Sequence, residues 1–287
     1  MFASRSQRWK DRRSTFIKAE TFIDPKIHHV DIISCYKQAK PFVEQHHYSG
    51  SFPATRLSCG IFRNEGKENK LVGVACFSVS MNAHAGRKYT GMAGNSSVEL
   101  GRLVLLDDVE SNGESWFVSK CFSLLRNEKP DIEAVYAYSD PVPRLDHSGN
   151  VIMPGHVGEV YQALSASCRG RAAPRMQFIT PDGKIFSERT LSKIVLNECG
   201  AEYAAKMLIS TGVDEREPFE EPRAWINRLK SEKQITAKKH PGNWVYSFAL
   251  TRRAKAKAKN LVTFDRPKRT GLSLQDVTES QKSLCFA

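Results

Sequence analysis

One stretch constrains this chain more than any other: residues 134–164, AVYAYSDPVPRLDHSGNVIMPGHVGEVYQAL. It opens on Ala134-Val135-Tyr136-Ala137-Tyr138, a run of β-favouring residues that halts at Asp140-Pro141, because proline has no N–H with which to continue a ladder. The run predicts a buried strand with a carboxylate at its tip. After a Pro154-Gly155 turn, Val157, Val160, Tyr161 and Leu164 recur at spacings that share one helical face. A strand tip and a helix start then face each other across a polar loop. In open α/β sheets ligands collect in the crevice outside the carboxyl ends of the strands, so Asp140, His156 and Tyr161 are the first site candidates.

The flanking sequence supplies the rest of a sheet. Phe16–Asp24 and the alternating segment His29–Ser34 read as strands, followed by a helix from Tyr36 to Gln45 that Pro41 bends. Apolar runs at Arg56–Phe62 and Lys70–Val79 flank a polar connection centred on Gly66, the pattern of a hairpin. Asn82–Ser96 is rich in Gly, Ala and Asn without periodicity and reads as a surface loop, its Arg87 and Lys88 available to a polyanion. Ser97–Leu106 is almost continuously apolar, interrupted by Glu99, Gly101 and Arg102, and fits a central strand. Ser111-Asn112-Gly113-Glu114 carries the S-x-x-E pattern of a capping box before a helix that runs to Arg126. Arg175–Ile179 and Trp244–Leu250 are further strands, the second returning to the core. This succession predicts an α/β fold: a mixed central sheet with helices on both faces, plus a basic C-terminal extension.

Charge is distributed unevenly. Between Arg228 and Arg269 stand thirteen Lys or Arg against two acids, so this segment holds eleven of the chain's net twelve positive charges. Such a concentration is the footprint of a polyanion, nucleic acid first and an anionic membrane surface second, although solvated basic tails also look like this. The seven cysteines are odd in number, scattered and never paired as CxxC, which argues against a disulfide framework or a cysteine zinc site. No apolar run approaches bilayer length and the start lacks the apolar region of a secretory signal, so a cytoplasmic location without membrane contact is expected. The expected organisation is a basic arm over 1–15, a catalytic core over 16–213, a basic extension over 214–270 that packs back on the core, and a flexible tail over 271–287.

Each candidate has a structural and a functional reading. Asp140 is either a turn-capping carboxylate or a ligand or base, and His156 either caps a helix or binds substrate. Tyr161 lies on the core side of its helix, where it packs or moves a proton. Tyr48 and Ser49 follow the bent helix in a polar turn, and Ser115 lies in the first turn of the capped helix. Glu99 and Arg102 alternate with leucines on the central strand and either pair with each other or line the site. Lys238, Lys239, Arg252 and Arg253 are placed to hold phosphates, which adds affinity with little sequence reading.

The order of elements, with a tyrosine in the helix after the penultimate strand, resembles the GNAT acyltransferase fold. That fold's pyrophosphate loop falls here on Leu106-Asp107-Asp108-Val109-Glu110-Ser111-Asn112-Gly113, whose three acids repel a pyrophosphate, so acetyl-CoA is not the expected donor. The chain is more closely similar to the Mom family of phage proteins. The matching pieces are His47-Tyr48-Ser49, Glu99-Leu100-Gly101-Arg102-Leu103, Asn112-Gly113-Glu114-Ser115, Tyr138-Ser139-Asp140-Pro141, Gly155–Ala163, Gly170, Asn243-Trp244-Val245-Tyr246 and Pro267-Lys268-Arg269, in that order. The resemblance implies a GNAT-like core that adds a carbamoylmethyl-type group to N6 of adenine in double-stranded DNA, from a small-molecule donor it does not identify. It further implies protection of phage DNA from restriction in the host-cell cytoplasm, and dependence on Fe(II). Tyr48, Ser49, Ser115, Asp140 and Tyr161 are then the catalytic candidates. Within this fold His47, Asp140 and His156 are a His/His/Asp set of the kind that suits non-haem iron. Two other readings stand beside it: an acyl-CoA N-acyltransferase acting on a protein or small molecule, and a non-catalytic DNA-binding protein on a degenerate core.

Overall fold

A computed structural model describes residues 6–10, 13–17, 21–92 and 94–268; the expected tail over 271–287 lies outside them. The chain begins with β1 (Ser6–Lys10) and β2 (Arg13–Ile17), which pair as an antiparallel ribbon in the segment expected to be an arm. β3 (His28–Ile33) follows, then a π-helical turn over Cys35–Ala39 that leads into α1 (Lys40–His46). The π turn places Pro41 in the first turn of α1, where a missing N–H costs nothing. The expected hairpin is β4 (Thr55–Asn64) and β5 (Asn69–Ser78). The segment read as a loop instead contains α2 (Ala85–Thr90), too short to show a period. β6 (Ser97–Leu105), α3 (Gly113–Glu128) and β7 (Ala134–Ser139) stand where the sequence puts them.

The capping box does not form. Asn112 is the N-cap, without a side-chain cap bond, and its Oδ1 accepts from the Ile23 N–H at 2.8 Å. The Ser111 hydroxyl donates to the Thr21 carbonyl at 2.8 Å. The polar loop after β7 contains β8 (Arg144–Leu145) and β9 (Val151–Met153). Next come α4 (Glu159–Ala163) and β10 (Ser167–Arg171), then β11 (Arg175–Ile179), β12 (Ile185–Ser187), α5 (Glu188–Val195), α6 (Ala201–Ile209), α7 (Pro222–Ser231), β13 (Thr236–His240), β14 (Trp244–Ala249) and α8 (Arg252–Ala258).

The chain forms two interleaved units. The first runs to Asp140 and takes in His156–Arg171 and Asn243–Lys268; the second comprises Pro141–Gly155 and Ala172–Gly242. The boundaries therefore differ from those expected at 213 and 214. The reason is a second core, in which Leu191, Ile194, Leu208, Trp225, Ile226 and Leu229 of α5, α6 and α7 pack with Phe178 and Phe186 of β11 and β12. Trp225 is 1% exposed and its indole N–H donates to the Asp214 carbonyl at 2.9 Å, so the acidic segment read as a boundary is part of this core's scaffold.

The first unit is built on a seven-stranded sheet in the order β10-β14-β7-β6-β5-β4-β3. α3 covers one face, where Phe117, Val118, Cys121 and Leu125 cluster with Val98, Leu100, Val135, Ala137, Tyr246 and Phe248. On the other face Ala39, Phe42 and Val43 pack with Ile33, Val74 and Cys76. The period of two along β7 sends Val135 and Ala137 toward α3 and turns Tyr136 and Tyr138 toward Tyr89 of α2. The α/β class and the mixed sheet with helices on both faces are as the sequence predicts.

Every neighbouring pair in this sheet is antiparallel except β6 and β7. Their parallel pairing covers only Ser97–Glu99 against Ala134–Tyr136. Beyond it β6 continues along β5 while β7 continues along β14. The two carboxyl ends part at the centre of the sheet, and the site is built at that parting.

Candidate active site

Glu99 is the last residue of the parallel pairing, opposite Tyr136. Two positions on, Gly101 is left unpaired as a bulge, because Leu100 aligns with Phe77 and Arg102 with Cys76. A Cβ at Gly101 would stand 2.3 Å from Ser78 Oγ, so the close strand approach requires glycine. The bulge re-aims Arg102. Its Nε donates to the Ser51 carbonyl and Nη2 to Ser51 Oγ, each at 2.9 Å, while Nη1 donates to the Gly101 carbonyl at 2.6 Å. Arg102 thereby ties the loop after α1 to β6. In that loop His47 Nδ1 and Ser49 Oγ share a 2.9 Å hydrogen bond, and the exposed Tyr48 ring lies 4.3 Å from that of His47.

Burial around the parting raises the proton affinity of its acidic groups. Glu99 makes no side-chain hydrogen bond or ion pair with the described residues. Burial holds its carboxyl above the ordinary carboxylate range, and the Arg102 charge offsets this only in part. Tyr161 is 7% exposed, its ring 5.4 Å from that of Tyr246 and 6.3 Å from that of Phe248. Burial pushes its phenol far above the ordinary value, with Tyr48, Glu99 and Tyr246 acting in the same direction. Tyr136 is pushed up to about 12 by burial, and Tyr138 is raised for the same reason. Tyr161 therefore stays protonated, a hydrogen-bond donor that also packs.

Asp140 follows β7 directly, and its carbonyl accepts from the His156 N–H at 2.7 Å. His156 keeps an exposed surface, yet surrounding protein holds its imidazole below the ordinary value while the Asp140 carboxylate pulls the other way. The ring is neutral at physiological pH. Gly158 sits between β7, β14 and α4 with φ of +75°, and a Cβ there would lie 2.7 Å from Tyr246, 2.9 Å from Tyr161 and 3.2 Å from Ser139 Oγ.

Glu99, Arg102, Tyr48, Ser49, Asp140, His156 and Tyr161 all belong to the first unit. Ser115 does as well, but its hydroxyl donates to the Asn112 carbonyl at 3.1 Å, within its own helical turn. Arg252 is exposed on α8, whereas Arg253 is engaged by Glu133 through Nε at 2.8 Å and through Nη2. Lys238 and Lys239 are exposed on β13 of the second unit. Among the described residues no group of three or more His, Cys, Asp or Glu side chains is gathered to hold a metal. His47, Asp140 and His156 are accordingly not gathered as such a group. At the α3 entry Asp108 binds Arg63 at 2.6 Å, Glu110 lies 3.6 Å from His28, and Asn112 Oδ1 is taken by the Ile23 N–H.

Three residues around the site are not among the candidates named from the sequence, although Gln162 and Tyr246 lie in the matched motifs. The Tyr246 hydroxyl donates to the Val157 carbonyl, and Gln162 Nε2 donates to the Tyr246 oxygen at 3.2 Å and to the Val157 carbonyl at 3.1 Å. Arg169 on β10 donates to Ser247 Oγ, to the carbonyls of Ala258, Leu261 and Val262, and to Thr263 Oγ1, at 2.8–3.3 Å. It fastens the segment after α8 to the sheet.

A sequence model of the Mom protein family matches residues 28–261. The chain belongs to the Mom protein family. The match runs from β3 past α8, so it contains the parting of β6 and β7 and the second core. One Mom relative is the methylcarbamoylase Mom of Escherichia phage Mu, 29% identical over 167 residues, which are 58% of this chain and 62% of the phage Mu protein. The chain thus spans about three-fifths of that relative's length. Among solved structures, a tandem GNAT protein from the clavulanic acid biosynthesis pathway (without AcCoA) is 10% identical, covers 78% of this chain and 99% of its own, and superposes with a TM-score of 0.39.

Proposed function

We propose that this Mom-family chain is a transferase that modifies DNA, adding a carbamoylmethyl-type group to the N6 amino group of adenine and so protecting phage DNA from host restriction in the host cytoplasm. Its substrates in this reading are double-stranded DNA and a small-molecule donor. The observation that carries the reading is the unpaired, half-buried carboxyl of Glu99 at the parting of two parallel strands, in a chain of the family that includes a methylcarbamoylase.

The residues divide the work. Chemistry on N6 requires the base to leave the duplex, and the exposed Tyr48 ring, held on a loop that Arg102 anchors, supplies a face on which it stacks. When the N6–carbon bond forms, the donor's leaving group departs with its bonding electrons and N6 sheds one proton. Glu99 takes that proton: a carboxyl raised by burial is a stronger base than a solvated one. Tyr161, held protonated, donates a hydrogen bond to the reacting groups, and Asp140 and His156 orient the base from the tip of β7.

The test is mass spectrometry of nucleosides from plasmid DNA recovered from cells expressing the protein, beside cells expressing Asp140→Ala, Glu99→Gln, Tyr161→Phe or Tyr48→Phe. A heavier deoxyadenosine seen only with the intact chain is the expected result, and the added mass names the group. Unmodified nucleosides from cells that contain soluble, DNA-binding protein would overturn the reading in favour of a non-catalytic DNA-binding protein.

A further inference from the structure

We infer that α2 and α8 together form a phosphate-gripping platform for duplex DNA. The inference rests on the proposed DNA substrate and locates the surface that holds it. The two helices are far apart in sequence but abut in the fold. α2 ends at Gly91, whose φ of +74° favours glycine and where an added Cβ would stand 3.2 Å from Lys257 Cβ and 3.3 Å from the Lys257 carbonyl oxygen, so the two helices meet closely there. Ala254 of α8 is buried with Met92 and Ala134. Tyr89, the buried face of α2, lies 6.2 Å from Tyr136 and 6.0 Å from Tyr138. The platform is therefore anchored on β7, the strand whose tip is Asp140.

Its outer surface is cationic without compensation. Arg87 and Lys88 of α2 are exposed, as are Arg252, Lys255 and Lys257 of α8 and Lys259 at its C-cap. Neither helix contains an acid, and none of the six cations makes an ion pair with a described residue. The nearby Glu133 is committed to Thr251 and Arg253. Elsewhere in the chain arginines find carboxylates: Arg56 with Asp131, Arg63 with Asp108, Arg189 with Glu198 and Arg228 with Glu220. Six unpaired cations on adjoining helices repel one another, and a polyanion relieves the repulsion. The platform's ring, Tyr89, is buried, so it offers no stacking surface for single-stranded bases. A backbone-contacting, sequence-independent grip on a duplex is what remains.

The measurement is the affinity of the purified full-length protein for a fluorescein-labelled duplex of mixed sequence, followed across a salt series. Each phosphate contact adds about 0.9 to the slope of log K against log salt, so the quadruple variant Arg87→Gln, Lys88→Gln, Lys255→Gln, Lys259→Gln should lose up to about 3.6 from that slope. Circular dichroism confirms that the variant is folded, since all four side chains are exposed. A wild-type slope in the quadruple variant would overturn the inference, and so would a loss confined to Lys238→Gln, Lys239→Gln on β13. Tighter binding of the unpaired strand than of the duplex would overturn it as well. None of these outcomes bears on whether adenine is modified, which the nucleoside masses decide separately.

Discussion

The packing around Gly158 gives a sharp test of how the site is held. Replacing it with alanine asks two things of the structure at once. An L-residue must adopt φ of +75°, and its Cβ must fit 2.7 Å from Tyr246, 2.9 Å from Tyr161 and 3.2 Å from Ser139 Oγ. The left-handed conformation costs about 1–2 kcal/mol. Overpacking against two rings adds about 1–3 kcal/mol, because Tyr246 is fixed by its bond to the Val157 carbonyl and Tyr161 by Phe248. The expected loss is therefore about 2–5 kcal/mol. Gly66→Ala separates the two contributions, since Gly66 has φ of +89° in the hairpin turn with nothing within 4 Å of the added carbon. It should cost only the conformational part, about 1–2 kcal/mol. Urea unfolding of both variants, compared at equal m-values, measures the difference. Equal losses at the two positions would refute the claim that Gly158 is a packing glycine at the core of the site.

Two further perturbations probe the same unit. Arg169→Leu leaves three carbonyls and two hydroxyls without their charged donor and should cost roughly 2–4 kcal/mol, read by urea unfolding, with faster proteolysis in residues 258–268 because that segment loses its tether. Glu99 has a folded-state carboxyl raised by burial, so its favourable contribution is complete below the unfolded carboxyl value and disappears as pH rises through the folded one. Glu99→Gln should accordingly gain stability over the parent at about pH 8 and show no such gain at about pH 4; a gain independent of pH in thermal unfolding would refute the assignment.

What was legible in the sequence is what local chemistry decides. Alternation located β3, two apolar runs around a polar connection located the β4–β5 hairpin, and the halt at Asp140-Pro141 placed the end of β7 to the residue. α2 escaped because a helix of six residues has too few turns to show a period, and Gly, Ala and Asn around it suggested a loop. The capping box failed because Ser111 is drawn to the Thr21 carbonyl and Asn112 to the Ile23 amide, partners about ninety residues away that no local motif encodes. The second core was hidden for a different reason. Its helices are apolar on one side only and are flanked by charge, so Trp225, Ile226 and Leu229 read as part of a basic extension.

The candidate site divides along the same line. Asp140, His156 and Tyr161 were named as candidates from one contiguous stretch because a strand end and a helix start are local events. Glu99 and Arg102 were named as residues that either pair or line the site, and the structure resolves the choice through Gly101. The bulge turns the Arg102 guanidinium to Ser51, so the two side chains do not neutralise each other and Glu99 remains an unpaired acid beside Tyr136. The same logic extends to the basic segment. Sequence density alone makes Arg253 and Arg252 equivalent, and both are exposed, but Glu133 engages the first and no described carboxylate pairs with the second, so the capacity to hold phosphate depends on which acids the fold brings near and not on how many cations lie in a row.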